Sequence, residues 1–411
     1  MRKRTVLWAL LVVVIVLLGI RAARLTRIPP RLPAVPPELT TRAVIPGIPG
    51  ARYFVGLELE PFVKDVAAAR EREEAFLARS GGGGTLPPLD LLAVSGGGDN
   101  GAFGAGLLNG WTAAGNRPTF KAVTGVSTGA LIAPFAFLGT EYDHVLKTVY
   151  TSIKPTDIAE KRGFLAAIDD DGMADNRPLW GLLSRFVDQA FLTRVAEEYQ
   201  HGRLLLVGTT DLDARQPVIW NMGAIAASGA PNALELFRSI LIASAAIPGA
   251  FPPTMMRVEV DGTTYDEMHV DGGTSSQVFL YPPSMFYLAK QADVELAQAR
   301  GGRVWVIRNS ELAPAWAPVK RRTVTIAGLA VASLIHSQGI ADLYRIYVTT
   351  QHDGLDFNLA YIGSDFKYQD KKEEFETPYM IKLYDYGFAL ARAGYPWRKL
   401  PPGLDAPIRV R

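Results

Sequence analysis

Three short stretches of this 411-residue chain carry residue types and spacings able to do chemistry. The first is Gly125-Val126-Ser127-Thr128-Gly129. A serine between glycines, after the apolar run ending at Val123 and before the apolar run from Ala130 to Leu138, has the spacing of a nucleophile elbow. Gly125 and Gly129 suit a turn too tight for neighbouring side chains, and the helix that follows aims amides and a positive dipole end at Ser127. The chemistry this predicts is acyl transfer through Ser127. The plain alternative is a flexible turn that happens to hold a serine.

The second stretch, Ser95-Gly96-Gly97-Gly98-Asp99-Asn100-Gly101, has two readings. Gly96-x-Gly98-x-x-Gly101 matches the spacing of a dinucleotide fingerprint and follows a strand. A dinucleotide site also wants an acidic residue at the end of the next strand, about twenty residues on. That strand ends at Val123-Thr124-Gly125 and offers none, so no nucleotide partner is expected. The other reading is an oxyanion hole. Consecutive glycines let backbone N–H groups converge on one small volume, and such donors are worth about 2.7–4 kcal/mol each in a transition state. Gly97 and Gly98 are the candidate donors. The bland reading is a turn that lets helix and strand approach closely.

The third stretch supplies a base. Of the five histidines, only His269 stands in a glycine-rich strand-end setting, two residues before Asp271-Gly272-Gly273. In an extended strand His269 and Asp271 share a face. Either Asp271 takes the Ser127 proton directly, or His269 does with an acid orienting it. The residues alone leave both open, beside the commoner roles of a bonded strand histidine and a turn aspartate.

Strands and helices must position these groups. Leu89–Val94, Lys121–Thr124, Arg203–Thr209, Gln216–Trp220 and Val304–Arg308 read as strands. Ala102–Ala114, Ala130–Leu138, Tyr142–Tyr150, stretches within Leu179–Tyr199 and Leu234–Ala246 read as helices. Asp261-Gly262 marks a hairpin turn between Arg257–Val260 and Thr264–Val270. Strands interleaved with helices predict an α/β fold with a mostly parallel sheet covered on both faces. Beyond Ser310, Val324–Ile335 reads as a helix that is buried in preference to touching a bilayer. Leu359–Ile362 reads as a strand and Tyr379–Ala393 as a helix, with no chemical motif among them.

With these motifs in place, the chain resembles the patatin-like phospholipase family. The glycine loop Gly96–Gly101, the elbow Gly125–Gly129 and the Asp271-Gly272-Gly273 element occur in the family's order. Ala243-Ser244-Ala245-Ala246-Ile247-Pro248-Gly249-Ala250-Phe251-Pro252-Pro253 is similar to the segment that precedes the aspartate strand in that family. The resemblance covers about Leu89 to Ser310. It implies a three-layer α/β/α patatin-like fold and a serine–aspartate dyad, with Ser127 as nucleophile, Asp271 as base and no catalytic histidine. It also implies Gly96, Gly97, Gly98 and Gly101 as the oxyanion loop and hydrolysis of carboxylic esters in lipids, with no cofactor. One position departs: Asn100 stands where many members carry a basic residue, which bears on phospholipid preference more than on hydrolysis. A broad carboxylesterase for small soluble esters and an inactive lipid-binding module are the competing functions.

Hydrophobic residues make up 48% and charged residues 20% of the chain, which fits a globular protein with an ample core. A net charge of +2 gives no argument for nucleic acid. The absence of cysteine excludes disulfides and thiolate chemistry. No metal constellation is visible; the acidic turn Asp169-Asp170-Asp171-Gly172 reads as a solvated loop. Arg2, Lys3 and Arg4 precede an uncharged apolar run from Val6 to Ile20, and Arg21 and Arg24 follow it. This pattern predicts an uncleaved signal anchor over residues 1–27, in preference to a cleaved signal peptide, with the rest exported. Residues 28–88 read as a proline- and glycine-rich spacer with a short helix, 89–310 as the catalytic domain, and 311–411 as an extension packing on the core. The expected partner is a lipid or ester at a membrane surface.

Overall fold

The computed structural model describes residues 8, 11–16, 30–54, 56–81, 86–161, 171–282, 300–314, 316, 318–369 and 371–407. Most of the N-terminal apolar run, Gly82–Gly84, Asp169 and Asp170 lie outside the described residues, so the expectations placed on them do too.

Among the described residues the strands are β1 (Arg52–Tyr53), β2 (Leu89–Val94), β3 (Ala122–Val126), β4 (Glu160–Lys161), β5 (Ala174–Asp175), β6 (Leu204–Asp211), β7 (Gln216–Asn221), β8 (Thr254–Val260), β9 (Thr263–Asp271), β10 (Gly302–Arg308) and β11 (Asp356–Tyr361). Only β4 and β5 stand apart, as a small pair. The main sheet runs β1-β7-β6-β3-β2-β10-β11, and β9 pairs with both β6 and β8. Its middle, β6-β3-β2-β10-β11, is parallel throughout. The flanking pairs are antiparallel. Asp261 and Gly262 both take positive φ, the backbone a tight hairpin between β8 and β9 needs.

The helices used below are α1 (Glu60–Arg79), α2 (Gly101–Ala113), α3 (Thr128–Leu138), α4 (Asp143–Thr151), α5 (Ala233–Ser244), α6 (Thr323–His352) and α7 (Thr377–Arg392). Parallel strands buried on both faces need apolar side chains at successive positions, as in β2 and β6. Leu92, Val94, Val123, Leu205 and Val207 join the core under α2, α3 and α5. Leu91, Ala93, Val304 and Val306 face Leu343, Ile346 and Tyr347 of α6, while Leu204 and Leu206 meet Phe62 and Val63 of α1. This is a three-layer α/β/α arrangement. Helix α7 lies close on α2, because a side chain at Gly106 or Gly110 would run into the carbonyls of Tyr384 and Phe388.

Two expectations are corrected. The proline-rich stretch does not stand off as a spacer over residues 30–54. Ala43, Ile45, Ile48 and Ala51 are buried in the core, Val44 bridges Glu259, and β1 pairs with β7. Arg31 bonds Asp213 and Asp266, and the Leu32 amide donates to Asp266 Oδ2 at 2.9 Å. Proline removes donors but leaves isoleucines free to bury, and burial outweighs composition here. The second correction concerns α6. Residues 326–335, expected to be buried, are exposed along their whole length; only the following half of the helix packs on the sheet.

Candidate active site

Ser127 sits at the end of β3, immediately before α3, with φ 56° and ψ −127°. A non-glycine residue in that region is strained and persists only where its surroundings hold it. They do so through α5: the Ser127 amide donates to Ser244 Oγ at 3.0 Å, and Ser244 Oγ donates to the Gly208 carbonyl at 2.6 Å. Both elbow glycines are sterically required. A Cβ on Gly125 would strike the Gly129 carbonyl, and one on Gly129 the carbonyls of Val94 and Ser95.

Strand β9 delivers Asp271 opposite Thr209 of β6. Asp271 Oδ1 accepts the Gly273 amide at 2.7 Å. Oδ2 is buried and has no hydrogen-bond partner among the described residues. Burial pushes the carboxyl up to about 6, against the pull of the Ser127 hydroxyl beside it and of the Gly273 amide. The Ser127 hydroxyl thus stands close enough to hydrogen-bond the carboxylate and lower it, although Oδ2 has no partner that meets full hydrogen-bond geometry. Gly272 packs so tightly on the Gly208 carbonyl that no side chain fits there.

The glycine loop lies against the same serine: a Cβ on Gly96 would stand 3.2 Å from Ser127 Cβ. The four loop glycines differ. The Gly96 amide donates to the Gln277 carbonyl at 3.0 Å, and the Gly101 amide to the carbonyls of Asp99 and Gly98. These two shape the loop and have no free donor. The amides of Gly97 and Gly98 donate to no group among the described residues. Gly97 has no room for a side chain beside the Asn309 backbone, and Gly98 has φ 58°, so both positions demand glycine.

His269 is brought near but turned away. It is buried, with Nδ1 2.9 Å from Thr209 Oγ1 and Nε2 3.3 Å from Glu267 Oε2. Glu267 is itself paired with the guanidinium of Arg52. Burial would raise Glu267, but the bonds from Arg52 and His269 prevail and hold it at about 2. Asp211, Glu267 and His269 present three potential ligand atoms within 4.8 Å of one another. Of the three, Glu267 is paired with Arg52, and Asp211 Oδ1 accepts the amides of Asp213 and Ala214.

The patatin-like phospholipase profile matches residues 92–282. This segment is similar to a patatin-like phospholipase domain, a family whose activity is lipid acyl hydrolysis. A solved structure, that of VipD from Legionella pneumophila, is similar at 11% identity and a TM-score of 0.38, covering 75% of this chain and 67% of that one. No curated protein matches the chain.

Around the patatin-like site stand residues that spacing alone does not single out. Gln277 ties the two glycine loops together: its carbonyl takes the Gly96 amide and its side chain donates to the Gly273 carbonyl at 2.7 Å. Asn309, at the end of β10, accepts the Gly104 amide at 3.0 Å and donates to the Ser95 carbonyl at 2.9 Å. The remaining clamps come from beyond residue 310. Lys371 Nζ is 2.9 Å from Asp99 Oδ2, and the Phe375 amide donates to the same oxygen at 2.9 Å. Tyr379 donates to Asn100 Oδ1. Burial raises the Asp99 carboxyl, with Lys371 pulling against it. The position that lacks the family's basic residue is therefore held by Tyr379, and a cation reaches the adjoining residue from a distant segment.

Proposed function

We propose that the protein is a serine hydrolase of lipid carboxylic esters working through Ser127 and Asp271. The observation that carries this reading is the strained Ser127 beside a buried carboxylate with one unpartnered oxygen. Asp271 Oδ2 takes the hydroxyl proton as Ser127 Oγ attacks the ester carbonyl. The free amides of Gly97 and Gly98 receive the oxyanion, and their glycine geometry is built before the reaction begins. The alcohol departs with the proton, leaving an acyl group on Ser127; water activated by Asp271 then releases the acid. A carboxyl pushed up to about 6 suits this role, because it is ionised at neutral pH yet more basic than an exposed aspartate. His269 has both ring nitrogens committed and does not enter the scheme.

A narrow apolar cavity of about 40 Å³ begins at the residue after the nucleophile, lined by Thr128, Leu131, Phe135, Tyr150, Leu182 and Phe375 among others. Its lining suits an acyl chain. Ile240, Leu241 and Ile242 are packed in the core and do not line it.

The test is turnover of a long-chain ester in vesicles together with labelling by a fluorophosphonate. Ser127→Ala is expected to abolish labelling. Asp271→Asn is expected to lower turnover by about 10³-fold or more while the variant stays folded. Wild-type protein that neither labels at Ser127 nor turns over any ester would leave the inactive lipid-binding module as the reading. Activity kept in Asp271→Asn would remove that residue from the base role.

A further inference from the structure

Helix α6 is divided into two halves of opposite surroundings, and the exposed half is the more apolar of the two. From Leu343 onward it packs on β10 and β11. From Ile326 to Ile335 it stands exposed, with Ile326, Leu329, Val331 and Ile335 facing solvent and Leu334 70% exposed. The only polar side chains between Ile326 and Ile335 belong to Ser333, and Gly328 and three alanines fill the rest. At the tip, Lys320, Arg321 and Arg322 are exposed and form no ion pair with any described residue, and Trp316 is 89% exposed. No acidic residue occurs between Glu311 and Asp342.

We propose that this half-helix and its tip dock the protein onto an anionic lipid bilayer, a role that stands on the surface itself and not on the hydrolase reading. A helix without a polar face has no stable place in water and requires an apolar medium. The three cations, the tryptophan and the positive end of a long helix match the phosphate level of an anionic leaflet. A second copy of the chain fits less well, because it would set like charges together. The helix is long and apolar enough to cross a membrane by length and composition, yet it does not cross. Its second half is inside the body, and from Thr323 to Ser337 it rises only roughly 22 Å, against about 30 Å of hydrocarbon. Crossing would also drag the tricationic tip through the bilayer. The exposed half instead sinks into one leaflet only, with its cationic tip kept at the phosphate level of that leaflet.

The buried half carries the contact inward. Asp342 Oδ2 accepts the amides of Gln277 and Val278 at 2.7 and 3.3 Å and the Ser276 hydroxyl at 3.1 Å. Gln338 donates to the Ser275 carbonyl. One rigid helix therefore joins the lipid-facing surface to the loop that follows Asp271. That coupling, unlike the docking, rests on the hydrolase reading.

The absence of cysteine makes the docking test direct. Full-length protein carrying Leu329→Cys or Leu334→Cys is labelled with an environment-sensitive fluorophore and mixed with phosphatidylcholine vesicles, with or without equimolar phosphatidylglycerol. The expected result is a blue shift on the anionic vesicles that lipid-borne quenchers abolish. Lys320→Glu combined with Arg322→Glu should weaken it about tenfold or more. A shift that needs no lipid and grows with protein concentration would assign the surface to a second copy and overturn the proposal, as would a probe that stays in water on every vesicle. Neither readout depends on turnover, so a protein that docks without hydrolysing would defeat the hydrolase reading alone.

Discussion

The two glycine-rich loops that flank Ser127 are held from outside in opposite ways. The loop from Gly96 to Gly101 carries its own buried carboxylate, Asp99, and receives a cation from Lys371. The loop from Gly272 to Val278 is gripped by a carboxylate that comes to it, Asp342 of α6, while its own neighbour Asp271 has no cation beside it. Burial raises both Asp99 and Asp271. What separates them is the partner. Lys371 pulls Asp99 toward the anion and ties it down as a peg, whereas no cation does so for Asp271, which under the proposed scheme takes and returns the proton. Both outside clamps come from the last hundred residues, which therefore complete the site instead of merely covering it.

The comparison is broken most severely from the Asp342 side. Asp342→Ala strands two amides, the buried one of Val278 and the half-buried one of Gln277, each worth about 1–3 kcal/mol. The loss expected in urea unfolding is about 4 kcal/mol, with a fall in ester turnover as the Asp271 loop loosens. Asp271→Asn works in the other direction. The carboxyl's rise from 3.8 to about 6 corresponds to about 3 kcal/mol. Its sign follows from the raised value: the stability is present below the ordinary aspartate pKa and is lost as pH rises through about 6. The asparagine variant should therefore unfold at higher urea than wild type at pH 8, with the gap closing towards pH 4. Wild-type kcat/KM should climb through the same window. An equal gap at both pH values would contradict the assignment. The smallest effect belongs to Lys371→Met, which leaves Asp99 unpaired. Because the lysine is partly exposed, the cost is expected near 2 kcal/mol. Adding Asp99→Asn should restore most of it, and a double variant no better than the single one would deny the pair its role as a peg.

The parts of the molecule written in local backbone chemistry were legible in the sequence. Gly125, Gly129 and Gly272 are glycine because carbonyls crowd them, and Asp261-Gly262 turns because positive φ is needed. The strand and helix alternation that yields the parallel centre is equally local. Partners brought together by topology were not legible. Ser244, Gln277, Asn309, Lys371 and Asp342 have no motif of their own and matter only through residues far along the chain. The choice between His269 and Asp271 was open for the same reason. Thr209 and Glu267, which engage the histidine, and Arg52, which holds Glu267, lie on β6, β9 and β1. Composition misled where burial decided: prolines disguised the docked stretch at 30–54, and apolar content disguised the bare half of α6.

The docked stretch also limits how far the body can wander. A chain free from residue 28 to 88 would allow an excursion of roughly 200 Å from whatever holds its start. With Arg31 and Leu32 already bonded to the hairpin, only residues 21–29 separate the fold from the apolar run, a leash of at most roughly 32 Å. If that run is seated in a bilayer, as its sequence predicts, the molecule grazes the surface to which it is tied, and the basic tip of α6 meets lipid at a high local concentration without a search through bulk solvent.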